Sequence, residues 1–525
     1  MRFEGQIVDI IGREIFPGSI EVTEGKIVAV NRHETTEKQF IMPGFVDAHD
    51  HIESSMLAPR EFARYALKQG TIAIVTDPHE IGNVCGREGI RFMMDEADKS
   101  PLKACFAVSS CIPATPLCTS GAVIDAKIVA ELLEDPRTYA LAEMMDFPGI
   151  IHDDPECMAK VSAAHNAHKP IDGHAPLLTG DDLKKYVAAG ISTDHEASNL
   201  EEAEEKIALG MKILIREGST ARNFNALHPL IAKHKDHLMF CTDDMKAIDL
   251  LDGHINRIVS KAVKLGYNLF DVLQIACVNP VRHYHIPMGL LQVGDAADFI
   301  ICNDLTEFRP KATYVDGELA SELPYAAAHK TINQFRLPSI TLEQLADDIS
   351  QKDELHVIQA IDGELITPHI IVKKKDFDTI QKIVVINRYQ EEPSIGIGYI
   401  KGFDLKGGAV AQTIAHDSHH IIATGSSDEL IYQAISELIQ LQGGIVVVDE
   451  QKTTSLAFPL GGLMANSTCD FVAHKQHELI QHLKALNCPL ASPIVALGFM
   501  QLVVIPELKI TDRGLFDVNE FRYIG

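Results

Sequence analysis

The stretch Pro43-Gly44-Phe45-Val46-Asp47-Ala48-His49-Asp50-His51 predicts a buried strand that ends in two histidines one residue apart. Residues i and i+2 of a strand lie on the same face, so His49 and His51 can contact one common object at its carboxyl end. A metal ion is the expected object, because imidazole is a common metal ligand. His-x-His also occurs in ordinary surface turns, so the interpretation depends on the residues that end the other strands.

Size and composition indicate a globular protein of more than one domain. The chain has 525 residues, 46% hydrophobic and 23% charged, and single cores stop growing at about 300 residues. A formal net charge of −26 without a basic block argues against nucleic acid or an anionic membrane as a partner. A small neutral or cationic substrate suits this charge better. The first residues lack the apolar core of a secretion signal, so we expect a cytoplasmic protein.

Residues 43–290 alternate between strand-like and helix-like segments, which predicts an α/β fold of the (β/α)8 TIM-barrel type. The eight strands are predicted to end near His51, His79-Glu80, Ser109-Ser110, Glu143, His174, His195-Glu196, Arg216-Glu217 and Asp243-Asp244. Active sites in this fold lie at the carboxyl ends of the strands. Most of these ends carry a histidine or an acid, which predicts a functional site at that face.

The segments on either side of the barrel predict two further domains. Residues 1–42 contain a hairpin pattern around Glu24-Gly25, and residues 291–335 carry similar strand and turn signals. Because either fragment alone is too small to fold, we expect one discontinuous β-domain built from both. Residues 340–525 predict a separate α+β domain, in which Ser427 caps an amphipathic helix.

The groups at the predicted strand ends form a set of candidate metal ligands. They are His49, His51, Glu143, His174, His195 and Asp243. Four imidazoles and two carboxylates suit zinc, iron(II) or manganese(II) and do not suit a thiolate site. We expect two metals. His49, His51 and Asp243 would hold the first. His174 and His195 would hold the second, and Glu143 would bridge them.

The chemistry expected of such a pair is hydrolysis, because two metals that share a water lower its pKa towards neutrality. Asp243 is the expected base for the proton of the attacking water. Glu80 follows His79 at the second strand end and would protonate a ring nitrogen or a departing amine, or would cap the turn after Pro78. Asp244 would bind a polar edge of the substrate or cap the following loop.

A set of motifs extends from the first barrel strand to the end of the third domain. They are Pro-Gly-Phe-Val-Asp-Ala-His-Asp-His-Ile-Glu-Ser-Ser at 43–55, Thr-Asp-Pro-His-Glu-Ile at 76–81, Ala-Glu-Met-Met-Asp-Phe-Pro-Gly at 142–149, Asp-Gly-His-Ala-Pro at 172–176, Thr-Asp-His-Glu at 193–196, Thr-Asp-Asp at 242–244, Ala-His-Asp-Ser-His at 415–419 and Ile-Pro-Glu-Leu-Lys at 505–509. Together they resemble the adenine deaminase family of the amidohydrolase superfamily. Ile-Glu-Ser-Ser, Asp-Pro-His-Glu and the third domain make the resemblance specific.

The resemblance implies hydrolytic deamination of adenine to hypoxanthine and ammonia, a purine-salvage reaction, on two metal ions that are usually manganese or iron. Glu143 stands where many relatives carry a carboxylated lysine, which resembles the adenine deaminase subtype. Glu53 and Asp244 are the candidate substrate-binding residues. One departure is Asp50 between the paired histidines, which we expect to face away from the metal. A second is His420, for which the sequence predicts no consequence.

Two other functions fit the same ligand set. A cyclic amidase or N-acyl amino-acid hydrolase would use the same barrel and hydroxide, although only Arg216, beside a potentially neutralising Glu217, offers a strand-end cation for an anionic substrate. A barrel scaffold without catalysis is disfavoured by the complete ligand set.

The run His416-Asp417-Ser418-His419-His420 has three interpretations. It would form a second metal site, contact the barrel mouth, or make a polar turn with satisfied hydrogen bonds, and the turn is favoured. A homodimer is expected, since dimers are the commonest oligomers.

Overall fold

The computed structural model describes residues 1–115, 117–219 and 221–524. Its centre is a barrel of eight parallel strands, which confirms the predicted fold class. In chain order they are Phe45–Asp50, Thr71–Thr76, Lys103–Val108, Thr138–Met144, Ile171–Gly173, Thr193–Asp194, Lys212–Arg216 and Leu238–Cys241, and we call them barrel strands 1 to 8.

Two parallel sheets make up this barrel, and isolated bridges join them. Barrel strands 1 to 5 form one sheet and strands 6 to 8 form the other. A parallel bridge from Ile171 to Ile191 joins the fifth strand to the sixth segment, and another from Asp50 to Asp243 joins the first to the eighth. Closure brings the carboxyl ends of all eight strands to one face.

Helices follow the strands because segments with an apolar face bury it against the barrel. They are Pro59–Lys68, His79–Ala97, Ala126–Leu133, Phe147–Ile151, Pro155–Asn166, Gly180–Ala188, Leu200–Ala208, Phe224–Leu227, Ile231–His234, Ala247–Asp252, Ile255–Lys264, Leu269–Leu273 and Asn279–Tyr284, with a π-helix at Gln274–Val278 and short 3-10 helices at Ile52–Ser55, His228–Leu230 and Lys235–His237. Residues that cap the first turns of these helices can be identified from the sequence. The Asp125 side chain, for example, accepts the Ile128 N–H at 2.9 Å and caps Ala126–Leu133.

Strands from before and after the barrel combine in one seven-stranded sheet. Their order across the sheet is Glu318–Leu319, Pro310–Val315, Phe299–Cys302, Phe40–Pro43, Arg2–Asp9, Glu14–Thr23 and Lys26–Arg32. The join lies at Phe40–Pro43, which pairs parallel to Arg2–Asp9 and antiparallel to Phe299–Cys302. Since Phe40–Pro43 leads directly into barrel strand 1, this sheet fixes where that strand enters.

The C-terminal region is α+β, as predicted. Its main sheet has the order His369–Lys373, Glu354–Gln359, Ile395–Lys401, Gln381–Ile386, Ile421–Gly425, Gly408–Gln412, Gly444–Asp449 and Thr453–Ala457, and a small sheet contains Leu508–Thr511, Gly514–Asp517 and Arg522–Ile524. Its helices are Asp428–Leu441, Cys469–Ala485 and Pro493–Phe499, with 3-10 helices at Leu342–Leu345 and Lys374–Thr379. Ser427 accepts the Leu430 N–H and caps the first helix, as predicted.

The C-terminal region packs directly against the barrel. The Ala465 N–H donates to the Met56 carbonyl at 2.8 Å, and the Cys469 N–H donates to Glu61 Oε1 at 2.6 Å. Buried side chains of both regions form one continuous apolar cluster. Within the described residues, no helix has the length and hydropathy needed to cross a membrane.

Candidate metal centre and active site

The two histidines of barrel strand 1 lie side by side at its end, each 3% exposed. His51 Nδ1 donates to the Asp77 carbonyl at 2.9 Å, since a carbonyl oxygen can only accept. In the neutral ring the lone pair is therefore on Nε2, which lies 3.1 Å from Asp243 Oδ1 and 3.4 Å from Glu143 Oε1. An acceptor nitrogen this close to two carboxylates needs a proton or a cation between them.

Glu143 ends barrel strand 4 and lies between two groups of histidines. Its Oε1 is 3.4 Å from His51 Nε2 and 4.0 Å from His49 Nε2. Its Oε2 is 2.7 Å from His174 Nδ1 and 3.3 Å from His195 Nε2. Each carboxylate oxygen thus faces a different set of nitrogens, which is the arrangement that a bridging ligand needs.

Asp243 follows barrel strand 8 and completes the first group. Its N–H donates to the His49 carbonyl at 2.9 Å, and its Oδ1 lies 3.7 Å from His49 Nε2. Its other oxygen accepts from Arg216 Nη1. Burial opposes ionisation of this carboxyl, but the charge of Arg216 holds the pKa of Asp243 well below its usual range. Asp243 is therefore a carboxylate whose Oδ1 faces the histidines.

Arg216 is neutralised by residues other than the one expected. Its Nη1 donates to Glu196 Oε1 at 2.5 Å as well as to Asp243. Glu217, the expected neutralising neighbour, pairs instead with Lys261 at 3.0 Å. The expectation for Glu217 is wrong because successive strand residues point to opposite faces, so Arg216 and Glu217 diverge.

The chemistry and spacing of these side chains fit divalent cations. His49, His195 and Asp243 offer ligand atoms that lie within 4.8 Å of one another, and so do Glu143, His174 and His195. His49 Nε2 is buried and has no hydrogen-bond partner among the described residues. Nitrogen and carboxylate donors without thiolates suit zinc, iron(II) and manganese(II). All six residues predicted as ligands are thus brought together.

Two further residues join this cluster that the sequence did not assign to it. His79 Nδ1 lies 3.0 Å from Asp77 Oδ2 and 3.5 Å from Glu143 Oε1. Both belong to the Thr-Asp-Pro-His-Glu-Ile motif, so their position after barrel strand 2 was the available signal. The structure thus places His79 beside the proposed bridging residue Glu143.

Glu80 lies in the first turn of the helix His79–Ala97 and contacts the C-terminal region. Its Oε1 lies 2.7 Å from His416 Nδ1, and its Oε2 contacts His419 Nε2. The favoured interpretation of 416–420 as a self-contained polar turn is therefore wrong, because two of its histidines bond to the barrel. The third, His420, has its Nε2 2.9 Å from Thr119 Oγ1.

The two candidate substrate-binding residues, Glu53 and Asp244, are tied by hydrogen bonds to neighbouring segments. Glu53 Oε1 accepts the Ile81 N–H at 3.2 Å, and burial raises the pKa of Glu53 to about 7. Asp244 accepts a hydrogen bond from Ser54 Oγ. It also lines a cavity between the barrel and the C-terminal region, whose walls include Ser54, Met56, Asp244, Lys246, His416 and Phe499.

Asp50, which lies between the paired histidines in sequence, belongs to a second buried group of polar side chains. Its side chain groups with those of Asp47 and His254 inside the barrel, and Thr242 Oγ1 donates to Asp50 Oδ1 at 3.4 Å. Burial, and then the neighbouring Asp47, raise the pKa of Asp50 well above its usual range.

Relatives of known sequence match this chain over its whole length. The family model described as "Amidohydrolase family" matches residues 40–320, and that described as "Adenine deaminase C-terminal domain" matches residues 361–522. The chain is 45% identical to the adenine deaminase of Methanosarcina mazei and 46% identical to that of Sulfurovum sp., in both cases over 100% of this chain and 99% of the relative. It is 45% identical to the adenine deaminase of Parabacteroides distasonis over 99% of this chain and 97% of the relative. The chain therefore belongs to the adenine deaminase family of the amidohydrolases.

Proposed function

We propose specific residue roles for the reaction of this metal-dependent amidohydrolase, the hydrolytic deamination of adenine to hypoxanthine and ammonia. The observation that carries the proposal is the position of Glu143 between His51 on one side and His174 and His195 on the other. Asp243 Oδ1 lies beside the first of these groups.

The family and the donor set support divalent metal binding. We propose two ions, manganese or iron(II), with zinc as the alternative, because these ligands accept all three. The residues that would hold them are His49, His51, Glu143, His174, His195 and Asp243. Two divalent ions, when bound, supply Lewis-acid chemistry that lowers the pKa of water towards neutrality.

Asp243 is the proposed base. Its Oδ1 takes a proton from the water whose oxygen forms a bond to C6 of adenine. The C6–N6 bond breaks, and the amino group leaves as ammonia with one of the two protons of water. The other replaces the proton that the ring nitrogen takes up and keeps in hypoxanthine. Arg216 holds the other oxygen of Asp243, so the carboxylate keeps one orientation while the proton moves.

Glu80 is the proposed acid. It lies at the end of barrel strand 2 with its carboxyl group 3.6 Å from His79 Nε2. It would deliver a proton to a ring nitrogen of adenine, which makes C6 more electrophilic. Glu53 and Asp244, at the mouth, would bind polar edges of the purine. A pKa near 7 leaves Glu53 partly protonated at neutral pH, so it could donate a hydrogen bond as well as accept one.

The cyclic amidase and N-acyl amino-acid hydrolase alternatives are not favoured. The relatives that match the full chain are adenine deaminases. Arg216, the cation at a strand end, is also neutralised by Glu196 and Asp243, so it is not a free anchor for an anionic substrate.

Asp243→Asn tests the assignment of the base. We expect turnover of adenine to fall about 10²–10⁴-fold, because general-base catalysis contributes this much. Ammonia release measures turnover, and circular dichroism checks the fold. Asp181→Asn, on the exposed end of the helix Gly180–Ala188, should leave turnover unchanged. Near-native turnover in the Asp243 variant would remove Asp243 from the base role.

Three further predictions stay open to experiment. We propose a division into 1–42 with 291–335, 43–290, and 340–525, of which Pro116, Thr220 and Gly525 lie outside the described residues. Limited proteolysis that cuts first between 335 and 340 would support it. The expected homodimer is checked by light scattering, and the expected cytoplasmic location by cell fractionation.

A further inference from the structure

The carboxylate of Glu80 is held by side chains from a different region of the chain. Glu80 is 2% exposed. Its Oε1 lies 2.7 Å from His416 Nδ1, and its Oε2 contacts His419 Nε2. Both histidines follow the strand Gly408–Gln412 of the C-terminal sheet. The two oxygens of one barrel residue thus have two partners from the C-terminal region.

The hydrogen bonds of His419 fix its tautomer. The Ala415 N–H donates to His419 Nδ1 at 3.2 Å, so Nδ1 carries the lone pair. In the neutral ring the proton is then on Nε2, which faces Glu80. His419 therefore donates a hydrogen bond to the carboxylate and does not offer Nε2 as a metal ligand. The spacing of Glu80, His416 and His419 would permit a metal ion. The tautomer of His419 instead favours a direct hydrogen bond from its Nε2 to Glu80.

Both histidines have supporting contacts from the C-terminal region. The buried Arg388 donates through Nε to the His419 carbonyl at 2.6 Å and through Nη2 to the Gly461 carbonyl at 2.8 Å. The His416 ring stacks on Phe499, with centroids 4.4 Å apart and planes at 14°. The ring of His416 and the backbone of His419 are therefore held in place by contacts on the side away from Glu80.

We propose that His416 and His419 are positioning residues for Glu80, so that the C-terminal region completes the active site of the barrel. The proposal rests on the catalytic role proposed above for Glu80. A buried carboxylate requires hydrogen-bond partners, and these two are the side chains that orient both of its oxygens. Without them the carboxyl group of Glu80 can change rotamer, so that it no longer points at the substrate as before.

Single variants of the full-length, metal-loaded enzyme test the positions. We expect His419→Ala and His416→Ala each to lower kcat about 10–100-fold, because a displacement of about 1 Å costs about 10²-fold. KM should change less than kcat. His419→Gln and His416→Asn restore an N–H near the lost Nε2 and Nδ1 and should recover part of kcat. Loss of kcat without recovery in either conservative variant would contradict a role through these N–H groups.

His482 provides a matched control in the same region. It is a buried histidine whose Nε2 lies 2.9 Å from Asp449 Oδ2 and whose Nδ1 lies 2.9 Å from Thr454 Oγ1. His482→Ala also removes a histidine–carboxylate contact, but one that does not involve Glu80. It should lower the melting temperature and leave kcat unchanged. If His482→Ala lowers kcat as much as His419→Ala does, the loss of kcat in the His419 variant is explained by general destabilisation of the protein and not by Glu80.

A double-mutant cycle with Glu80→Gln separates the inference from the function on which it rests. If His419 acts through Glu80, His419→Ala should cost little further kcat in the Glu80→Gln background. If the double variant lowers kcat by the product of the factors measured for the two single variants, His419 acts independently of Glu80, and the inference is overturned. Full turnover by Glu80→Gln alone would instead remove the role proposed for Glu80, and the inference with it. Metal content measured in each variant should stay at the wild-type value.

Discussion

At the scale of the residue, the hydrogen bond made by one nitrogen of a histidine ring decides whether the other nitrogen can accept a metal ion or donate a hydrogen bond. The Asp77 carbonyl fixes the Nδ1 proton of His51, so Nε2 faces Glu143 and Asp243 with a lone pair. The Ala415 N–H does the opposite at His419 and leaves Nε2 protonated. The same residue type is thus prepared as a metal ligand in one place and as a hydrogen-bond donor in another.

Glu143→Ala tests the predicted bridge at this scale. The variant loses a carboxylate that faces both groups of histidines, so we expect fewer than two metal ions per chain after dialysis. Elemental analysis measures the metal content. Glu217→Ala, which removes only the pair with Lys261, should retain the wild-type content. Two ions retained in the Glu143 variant would show that the bridge is misassigned.

At the scale of the element, local sequence predicts strands and helices well because their signals are local. Ser427, predicted to cap an amphipathic helix, caps the observed helix Asp428–Leu441. The roles of His79 and of His416 could not be predicted in this way. His79 is beside Glu143, and His416 beside Glu80, only because elements far apart in sequence pack together.

The helix Leu200–Ala208 depends on a buried charge. Lys206 is fully buried and pairs with Asp194 Oδ2 at 2.9 Å and Glu202 Oε1 at 2.7 Å. Lys206→Met leaves two buried carboxylates without their cation, so we expect a loss of about 3–5 kcal/mol in the free energy of unfolding. Urea denaturation measures it. Lys184→Met, which removes the exposed pair with Asp181, should cost under about 1 kcal/mol. Similar losses in both variants would contradict this account.

The strand Leu508–Thr511 contains a lysine that links stability to pH. Burial lowers the pKa of Lys509 from 10.5 to about 7. Between these values the unfolded chain binds more protons at this position than the folded chain does, so its contribution to stability rises with pH. The stability of the wild type relative to Lys509→Met should therefore increase from pH 7 to pH 10. Unfolding of both proteins by urea across this range measures the difference, and a difference independent of pH would contradict the assigned pKa.

At the scale of the whole molecule, the barrel and the C-terminal region form one structure around the barrel mouth. Side chains of both belong to one apolar cluster, and the cavity beside Asp244 has walls from both, including His416 and Phe499. The sequence predicts the barrel, the shared β-sheet and the six candidate ligands. It offers contact of residues 416–420 with the barrel mouth as one of three interpretations but does not favour it, because the relative placement of two regions is not encoded in a local pattern.

The most direct test of the central claim is ammonia release by the manganese-loaded protein, with and without a chelator, from adenine, adenosine, guanine, cytosine and dihydroorotate. The account predicts release from adenine that the chelator abolishes and that added metal restores. Release that the chelator leaves unchanged, or no release from adenine by protein that holds two metal ions, would contradict it.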